Sequence, residues 1–296
     1  MLERPEWIRA RAAWDSDEGG VRDLLRELRL HSVCVEAACP NRGECWASGH
    51  VTFLIMGDKC TRNCLFCNVS SAEPVECDSL EPENVGLAVE KLGAVYAVIT
   101  SVTRDDLEDK GAGHFTATVS RIKSRRPDVL VELLIPDLGA DKTLIGMVAS
   151  SGASVIGHNI EIPRGLYGAA RPGADYDRSL EVLKTLSSLR DGGPPFLVKS
   201  SMILGLGEDE GQVLETLRDL KKAGTDIVYM GQYLRPTERH WPVKKYYTPG
   251  EFDELGRTAG EMGFKAVLSG PMVRSSYRAF GAYKKAKAAG LSTLLT

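Results

Sequence analysis

The chain has 296 residues, 43% hydrophobic and 26% charged, the balance of a soluble globular protein. Its formal net charge of −3 argues against a global basic field for nucleic acid, and no stretch approaches the roughly 18 consecutive apolar residues of a membrane span. Seven cysteines, six of them in two tight triplets between Cys34 and Cys67, fit metal binding in a reducing cytoplasm better than a disulfide framework.

Met1 to Asp17 carries three arginines and two tryptophans without an apolar core, so it does not read as a secretory signal. Val21 to Leu30 places apolar residues at helical spacing between charges and predicts one amphipathic helix. Next comes Cys34-Val-Glu-Ala-Ala-Cys39-Pro-Asn-Arg-Gly-Glu-Cys45-Trp46, spaced C-x4-C-x5-C, where Pro40 and Gly43 predict a loop rather than a helix. Residues 1–50 form an N-terminal extension on this reading, followed by a barrel over 51–268 and a C-terminal extension over 269–296.

The apolar run from Val51 to Gly57 leads directly into Cys60-Thr61-Arg62-Asn63-Cys64-Leu65-Phe66-Cys67, spaced C-x3-C-x2-C. Eight residues suffice to turn three sulfurs toward one point but supply only three ligands. A closed zinc site takes four, and a [4Fe–4S] cluster is normally held by four cysteines, so three leave one iron open to a small molecule. A zinc knuckle completed by His50 or Cys77 is the plainer alternative. The spacing, with Phe66 just before the last cysteine, resembles the radical S-adenosylmethionine (SAM) enzymes. That resemblance implies that the open iron chelates the amino and carboxylate groups of SAM, and that the reduced cluster cleaves it to methionine and a 5′-deoxyadenosyl radical.

From Val51 onward, short apolar runs alternate with helical patterns. The runs are Thr52–Met56, Ala94–Thr100, Leu130–Ile135, Ser154–His158, Leu197–Ile203 and Asp226–Gly231, with a candidate seventh at Lys265–Leu268. Amphipathic segments separate them: Glu81–Leu92, His114–Arg125, Lys142–Ser150, Asp177–Leu189, Glu208–Ala223 and Pro249–Met262. Such alternation predicts an α/β chain with a parallel sheet, as a partial (β/α)6 TIM-like barrel; an open doubly wound sheet is the alternative. Active sites of such barrels gather at the C-terminal strand ends, and here the runs end in Gly57-Asp58-Lys59-Cys60, Thr100-Ser101, Pro136-Asp137, His158-Asn159-Ile160-Glu161, Ser200-Ser201 and Gly231-Gln232-Tyr233. Loops are polar for general reasons too, so this placement alone does not make a site.

Near the C-terminus, Gly270-Pro-Met-Val-Arg274-Ser275-Ser276-Tyr277-Arg278 reads by composition as a helix start with serine caps. Taken together, Cys-Pro-Asn-Arg-Gly-Glu-Cys-Trp, the C-x3-C-x2-C loop and Arg-Ser-Ser-Tyr resemble the lipoyl synthase family. Ile99–Leu107, Gly205–Glu208 and Gly231–Thr237 with Pro242-Val243 agree in order, so the resemblance spans roughly residues 20–285.

The resemblance implies a partial (β/α)6 barrel with two [4Fe–4S] clusters. One sits on Cys60, Cys64 and Cys67 and serves SAM. The auxiliary one sits on Cys34, Cys39 and Cys45, with a serine oxygen of the Arg-Ser-Ser-Tyr motif as fourth ligand: Ser276, or failing that Ser275. The implied reaction replaces C–H with C–S bonds at C6 and C8 of a protein-bound octanoyl chain, with the auxiliary cluster as sulfur source. Its partners are a carrier, such as the glycine-cleavage H protein or a 2-oxoacid dehydrogenase acyltransferase domain, and a low-potential electron donor. Unactivated methylenes have no useful acidity, so a radical cofactor must supply this chemistry. For SAM itself, Thr100 and Ser101 are candidates for the methionine amino group and Asn159 and Glu161 for the ribose hydroxyls. Lys199 or Arg171 is the candidate for the carboxylate, with Phe66 beside the cofactor. Serine, threonine and asparagine at strand ends also cap helices, which competes with each of these roles.

Asn68, Ser201 and the 162–170 stretch depart from the usual wording of the family, but none is a predicted cluster ligand. Gly205-x-Gly207 lacks the rest of a phosphate loop. Lys244-Lys245 and Lys284-Lys285 are solvated surface or a dock for an acidic carrier, and His240-Trp241 either lines a tunnel or packs a loop. Cys77 has no partner motif. Competing readings are a biotin synthase relative, which the N-terminal triplet and Arg274-Ser-Ser-Tyr277 disfavour, and a non-catalytic iron–sulfur or zinc scaffold.

Overall fold

The structure is a computed structural model that describes residues 2–8, 18–193 and 195–292. Seven strands carry the core: β1 (Thr52–Ile55), β2 (Tyr96–Ser101), β3 (Leu130–Leu134), β4 (Val155–Gly157), β5 (Leu197–Leu204), β6 (Ile227–Gln232) and β7 (Ala266–Gly270). They pair in sequence order and all in parallel. Parallel neighbours require crossovers, which are α1 (Glu81–Lys91), α2 (Ala112–Arg125), α3 (Lys142–Ala149), α4 (Tyr176–Gly192), α5 (Glu210–Lys222) and α6 (Pro249–Glu261). The candidate seventh run is therefore a strand. Because the strand order never reverses, the sheet has no switch point of the doubly wound kind and curls as a partial TIM-like barrel.

Strands β2 to β6 alternate their side chains between two cores. Ile99, Val131, Leu133, Ile156, Val198 and Val228 face the helices, whereas Tyr96, Val98, Val155, Leu197, Ile227 and Tyr229 face the barrel interior. A C-terminal helix, α7 (Ala279–Ser292), sends Ala279, Ala282 and Ala286 into that interior core, and Phe280 and Tyr283 pack on Tyr96 at ring distances of 5.6 and 6.0 Å. Small alanines let the helix approach the sheet closely.

The N-terminal helix (Glu18–Glu27) lies slightly earlier than its periodicity suggested. The first cysteine segment is not a plain loop. Val33–Glu36 and Arg42–Ala47 each wind one short helix, with Pro40 in the break between them and Ser32 Oγ capping the first. Gly43 sits in the first turn of the second, where its missing side chain does not break the helix. The serines of Arg274–Tyr277 occupy a turn before α7, and Ser276 Oγ accepts a hydrogen bond from Thr52. Among the described residues, no helix is long and apolar enough to cross a membrane.

Candidate active site

After β1, Met56 and Gly57 adopt left-handed backbone, at φ 66° and 86°, and turn the chain over the C-terminal mouth of the barrel. Buried Glu81 holds that turn, accepting from the Met56 amide at 2.7 Å while its carboxylate meets His114 Nε2 at 2.6 Å. The loop beyond is tied to four neighbours. Thr61 N donates to Thr103 O, Leu65 N to Ala170 O and Trp241 N to Leu65 O, and His240 Nε2 meets Cys67 O at 3.0 Å. Arg62 completes the set, with two hydrogen bonds to Asp105 and two to Asp137. Burial pushes the Asp137 carboxyl up, but the Arg62 guanidinium and the Gly139 amide outweigh it, leaving the group well below the carboxylate range.

So anchored, Cys60, Cys64 and Cys67 line a cavity of about 680 Å³, including its open mouth. Its other walls include Phe66, Thr100, Ser101, His158, Asn159, Glu161 and Arg171. All the predicted SAM contacts except Lys199 thus meet the thiol loop. Burial raises the thiol of Cys64, and it raises that of Cys67 to about 12 with help from neighbouring thiols and Glu161. Unaided, these groups stay protonated; they become ligands only when a metal offsets the charge. Three buried polar atoms on the wall, Ser101 Oγ, His158 Nε2 and Arg171 Nε, have no protein partner among the described residues. Such atoms suit a polar ligand in the cavity.

Cys34, Cys39, Cys45 and Ser276 line a second pocket of about 500 Å³, including its open mouth, with Arg274 and Tyr277 beside them. The N- and C-terminal segments reach one another here. Asn41 Nδ2 donates to Met272 O at 2.7 Å, and Tyr277 Oη and Arg278 Nη2 donate to Glu44 Oε1. Burial pushes Cys45 up to about 12, and the Cys39 and Cys34 thiols add to it. Arg274 is sunk between the segments, donates to the Val273 carbonyl and meets no carboxylate among the described residues. A half-buried guanidinium beside thiols rather than carboxylates complements thiolate charge.

Both donor sets therefore fit iron–sulfur clusters. No three His, Cys, Asp or Glu among the described residues converge tightly enough for a single metal ion.

A third pocket, of about 390 Å³ including its open mouth, lies between these two. Thr52, Val98 and Ser276 belong to it and to the N-terminal thiol cavity; Thr100, Leu134 and Asn159 belong to it and to the thiol-loop cavity. Ser275 faces only this middle space. Lys199 also lies here, with its Nζ 2.6 Å from Glu132 Oε1 and 4.1 Å from the centre of the Tyr229 ring. It is held inside the barrel rather than delivered to the thiol loop.

Sequence reading gave no role to five residues at these sites. Thr52 and Glu132 lie within apolar runs, where the lone carboxylate of Leu-Val-Glu-Leu-Leu was a signal, and His158 was read only as the polar end of its run. Arg62 and Arg274 lie inside motifs noticed for their cysteines and serines. Cys77 lies outside both thiol sites and accepts from Arg104 Nη1 at 2.9 Å.

A parallel barrel fragment with a three-thiol loop across its C-terminal mouth defines the radical SAM class, and residues 54–220 match the radical SAM superfamily. Solved structures agree on the fold. Methylornithine synthase superposes with a TM-score of 0.57 at 15% identity, covering 94% of this chain and 78% of that one. The FeFe-hydrogenase maturase HydG from Carboxydothermus hydrogenoformans gives 0.58 at 13%, over 90% and 69%.

Closer relatives narrow the class. The chain is 45% identical to lipoyl synthase of Thioalkalivibrio sulfidiphilus and 47% to that of Methylococcus capsulatus, over 94% of this chain and 86% of each relative. It is 44% identical to mitochondrial lipoyl synthase of Sorghum bicolor, over 96% of this chain and 75% of that one. The chain belongs to the lipoyl synthase family.

Proposed function

We propose that this enzyme inserts sulfur at C6 and C8 of an octanoyl chain carried on a lysine of a carrier domain, using one cluster to activate SAM and the other as sulfur source. The observation that carries this reading is the middle cavity, whose walls are shared with both thiol sites. An acyl chain lying there faces both at once.

Membership of the superfamily implies one [4Fe–4S] cluster and SAM, which together supply a 5′-deoxyadenosyl radical able to take hydrogen from unactivated methylenes. Cys60, Cys64 and Cys67 hold that cluster on this reading. Thr100 and Ser101 receive the methionine amino group, Asn159 and Glu161 the ribose, and Phe66 lies beside the cofactor. Arg171, on the cavity wall with its Nε unpartnered, suits the methionine carboxylate better than Lys199, which is occupied by Glu132. Cys34, Cys39 and Cys45 with Ser276 hold the auxiliary cluster. Ser276 is favoured over Ser275 because it alone of the two lines the N-terminal thiol cavity.

The division into an auxiliary-cluster extension (1–50), a barrel (51–268) and a motif-bearing tail (269–296) belongs to the same proposal, as does a cytoplasmic setting that keeps the thiols reduced. Partners are an octanoylated H protein or acyltransferase domain and a low-potential electron donor. Exposed Lys244 and Lys245 lie on the chain segment that packs on the thiol loop through His240 and Trp241, a suitable dock for an acidic carrier.

The test is anaerobic incubation of the reconstituted protein with SAM, a strong reductant and an octanoylated carrier domain. The expected result is a carrier mass gain of two sulfurs with two 5′-deoxyadenosines formed per chain. Deoxyadenosine without sulfur on the carrier would refute sulfur insertion while leaving radical SAM chemistry standing.

A further inference from the structure

Thr52 begins β1, pairs in register with Val98 and turns its side chain into the barrel, where it lines both the N-terminal thiol cavity and the middle cavity. It is 5% exposed. Its Oγ1 donates to Ser276 Oγ at 2.9 Å. Its carbonyl accepts from Ser32 Oγ at 2.8 Å, and Ser32 Oγ in turn accepts from the Cys34 amide at 3.2 Å. Residue Thr52 thus joins the first N-terminal cysteine to the C-terminal serine through hydrogen bonds alone.

We propose that Thr52 is a positioning residue for the serine ligand: its hydroxyl aims Ser276 Oγ at the three N-terminal thiols and stays hydrogen-bonded to that oxygen when it binds iron. This rests on reading Ser276 as the fourth ligand. A serine that binds a metal does so as an alkoxide, an acceptor with no proton of its own. The wall around it mixes apolar side chains, Val51, Val98 and Phe280, with the polar groups of His50, Arg42 and Arg274, but Thr52 is the group that donates to Ser276 Oγ among the described residues. A negative oxygen there needs a donor, and donation to an ionised acceptor is about twice as strong as a neutral hydrogen bond. Thr52 supplies that donor from a strand whose register is fixed by the barrel, so the oxygen does not depend on its own turn alone for aim. The ligand is kept in place yet remains bound through oxygen, a harder and less suitable partner for iron in this setting than thiolate.

The test uses the holoprotein, reconstituted anaerobically, as wild type, Thr52→Val, Thr52→Ser and Ser276→Ala. Valine is nearly isosteric with threonine and suits a strand, while serine restores the hydroxyl. Two readouts are taken: the rate at which a chelator strips iron from the auxiliary cluster, and the Mössbauer signature of its unique iron. Thr52→Val should lose that iron about tenfold faster, as expected for one lost hydrogen bond to a charged group, and shift the signature toward that of Ser276→Ala. Thr52→Ser should match wild type, and the thiol-loop cluster should be unchanged in all four. The proposal falls if Thr52→Val matches wild type while Ser276→Ala does not, or if Thr52→Ser and Thr52→Val are equally impaired. It also falls if the thiol-loop cluster is lost together with the auxiliary one. Should Ser276→Ala itself match wild type, the ligand reading fails first and this inference with it.

Discussion

Arg62 Nη1 lies 2.6 Å from Asp137 Oδ2, joining the middle of the three-cysteine loop to the end of β3. The Asp137 side chain is 1% exposed and that of Arg62 10%, so the pair is shielded from solvent. A second cation, Arg178, reaches the same carboxylate at 2.9 Å. The loop is thereby held by charge as well as by backbone hydrogen bonds.

Breaking a buried pair by removing one partner costs roughly 3 kcal/mol or more. Replacing Asp137 with Asn should therefore leave two guanidinium groups undercompensated, lower the melting temperature and weaken SAM binding. Arg62→Lys should do less harm, because Lys keeps the charge but not the fork that serves Asp105 and Asp137 together. Calorimetry with SAM on the reconstituted proteins would decide it; wild-type affinity in Asp137→Asn would show that the clamp does not position the loop.

His158 carries the clearest pH consequence. It is 1% exposed, its Nδ1 meets Ile135 O at 3.0 Å, and burial with the nearby Arg171 charge lowers its pKa from 6.5 to about 4. Between those two values the unfolded chain binds the proton and the folded chain does not, so stability rises with pH through this window. The contribution is fully present above pH 6.5 and declines as pH falls toward 4, by at most about 3 kcal/mol. Denaturation curves for wild type and His158→Gln should converge as pH drops through that range. A constant gap between them would mean that the imidazole does not titrate in this way.

Lys199 and Glu132 should behave as one unit. Lys199→Met alone strands a carboxylate that also accepts from Tyr96 Oη at 2.5 Å, and should cost several kcal/mol. Adding Glu132→Leu should recover most of that loss, as buried pairs replaced by apolar residues often do. A double-mutant cycle on thermal stability checks this, and additive losses would show that the two charges are independent.

Substituting Ser276→Cys should leave both clusters bound and slow sulfur transfer. A thiolate holds iron more firmly than a serine oxygen in this soft-ligand setting and resists cluster dismantling. Single-turnover assays with an octanoylated carrier measure it directly. Unimpaired transfer would mean that a labile oxygen ligand is not required.

Much of this architecture was legible in the chain. All six strand–helix units fall within a few residues of their periodic patterns, because parallel strands buried on both faces read as continuous apolar runs. The cysteine loop was legible for a different reason: spacing within eight residues constrains geometry without knowledge of the fold. What escaped reading depends on long-range juxtaposition. Thr52 looks like any strand threonine until Ser276 arrives beside it. Lys199, a candidate for the methionine carboxylate by sequence, is turned inward by pleat alternation to Glu132 on β3, a pairing two strands away that local pattern does not encode. The two short helices around Cys34 and Cys45 were missed because Pro40 and Gly43 signal a break without saying that single turns form on either side.

On the proposed reading, one chain holds two clusters either side of one acyl cavity. Iron and acid-labile sulfide per chain, measured after anaerobic reconstitution of wild type and of a Cys34→Ala/Cys39→Ala/Cys45→Ala variant, decide between one cluster and two. Iron should fall from about eight per chain to about four, with SAM cleavage retained in the variant. About four irons in both proteins would contradict it, leaving a radical SAM enzyme without an auxiliary cluster.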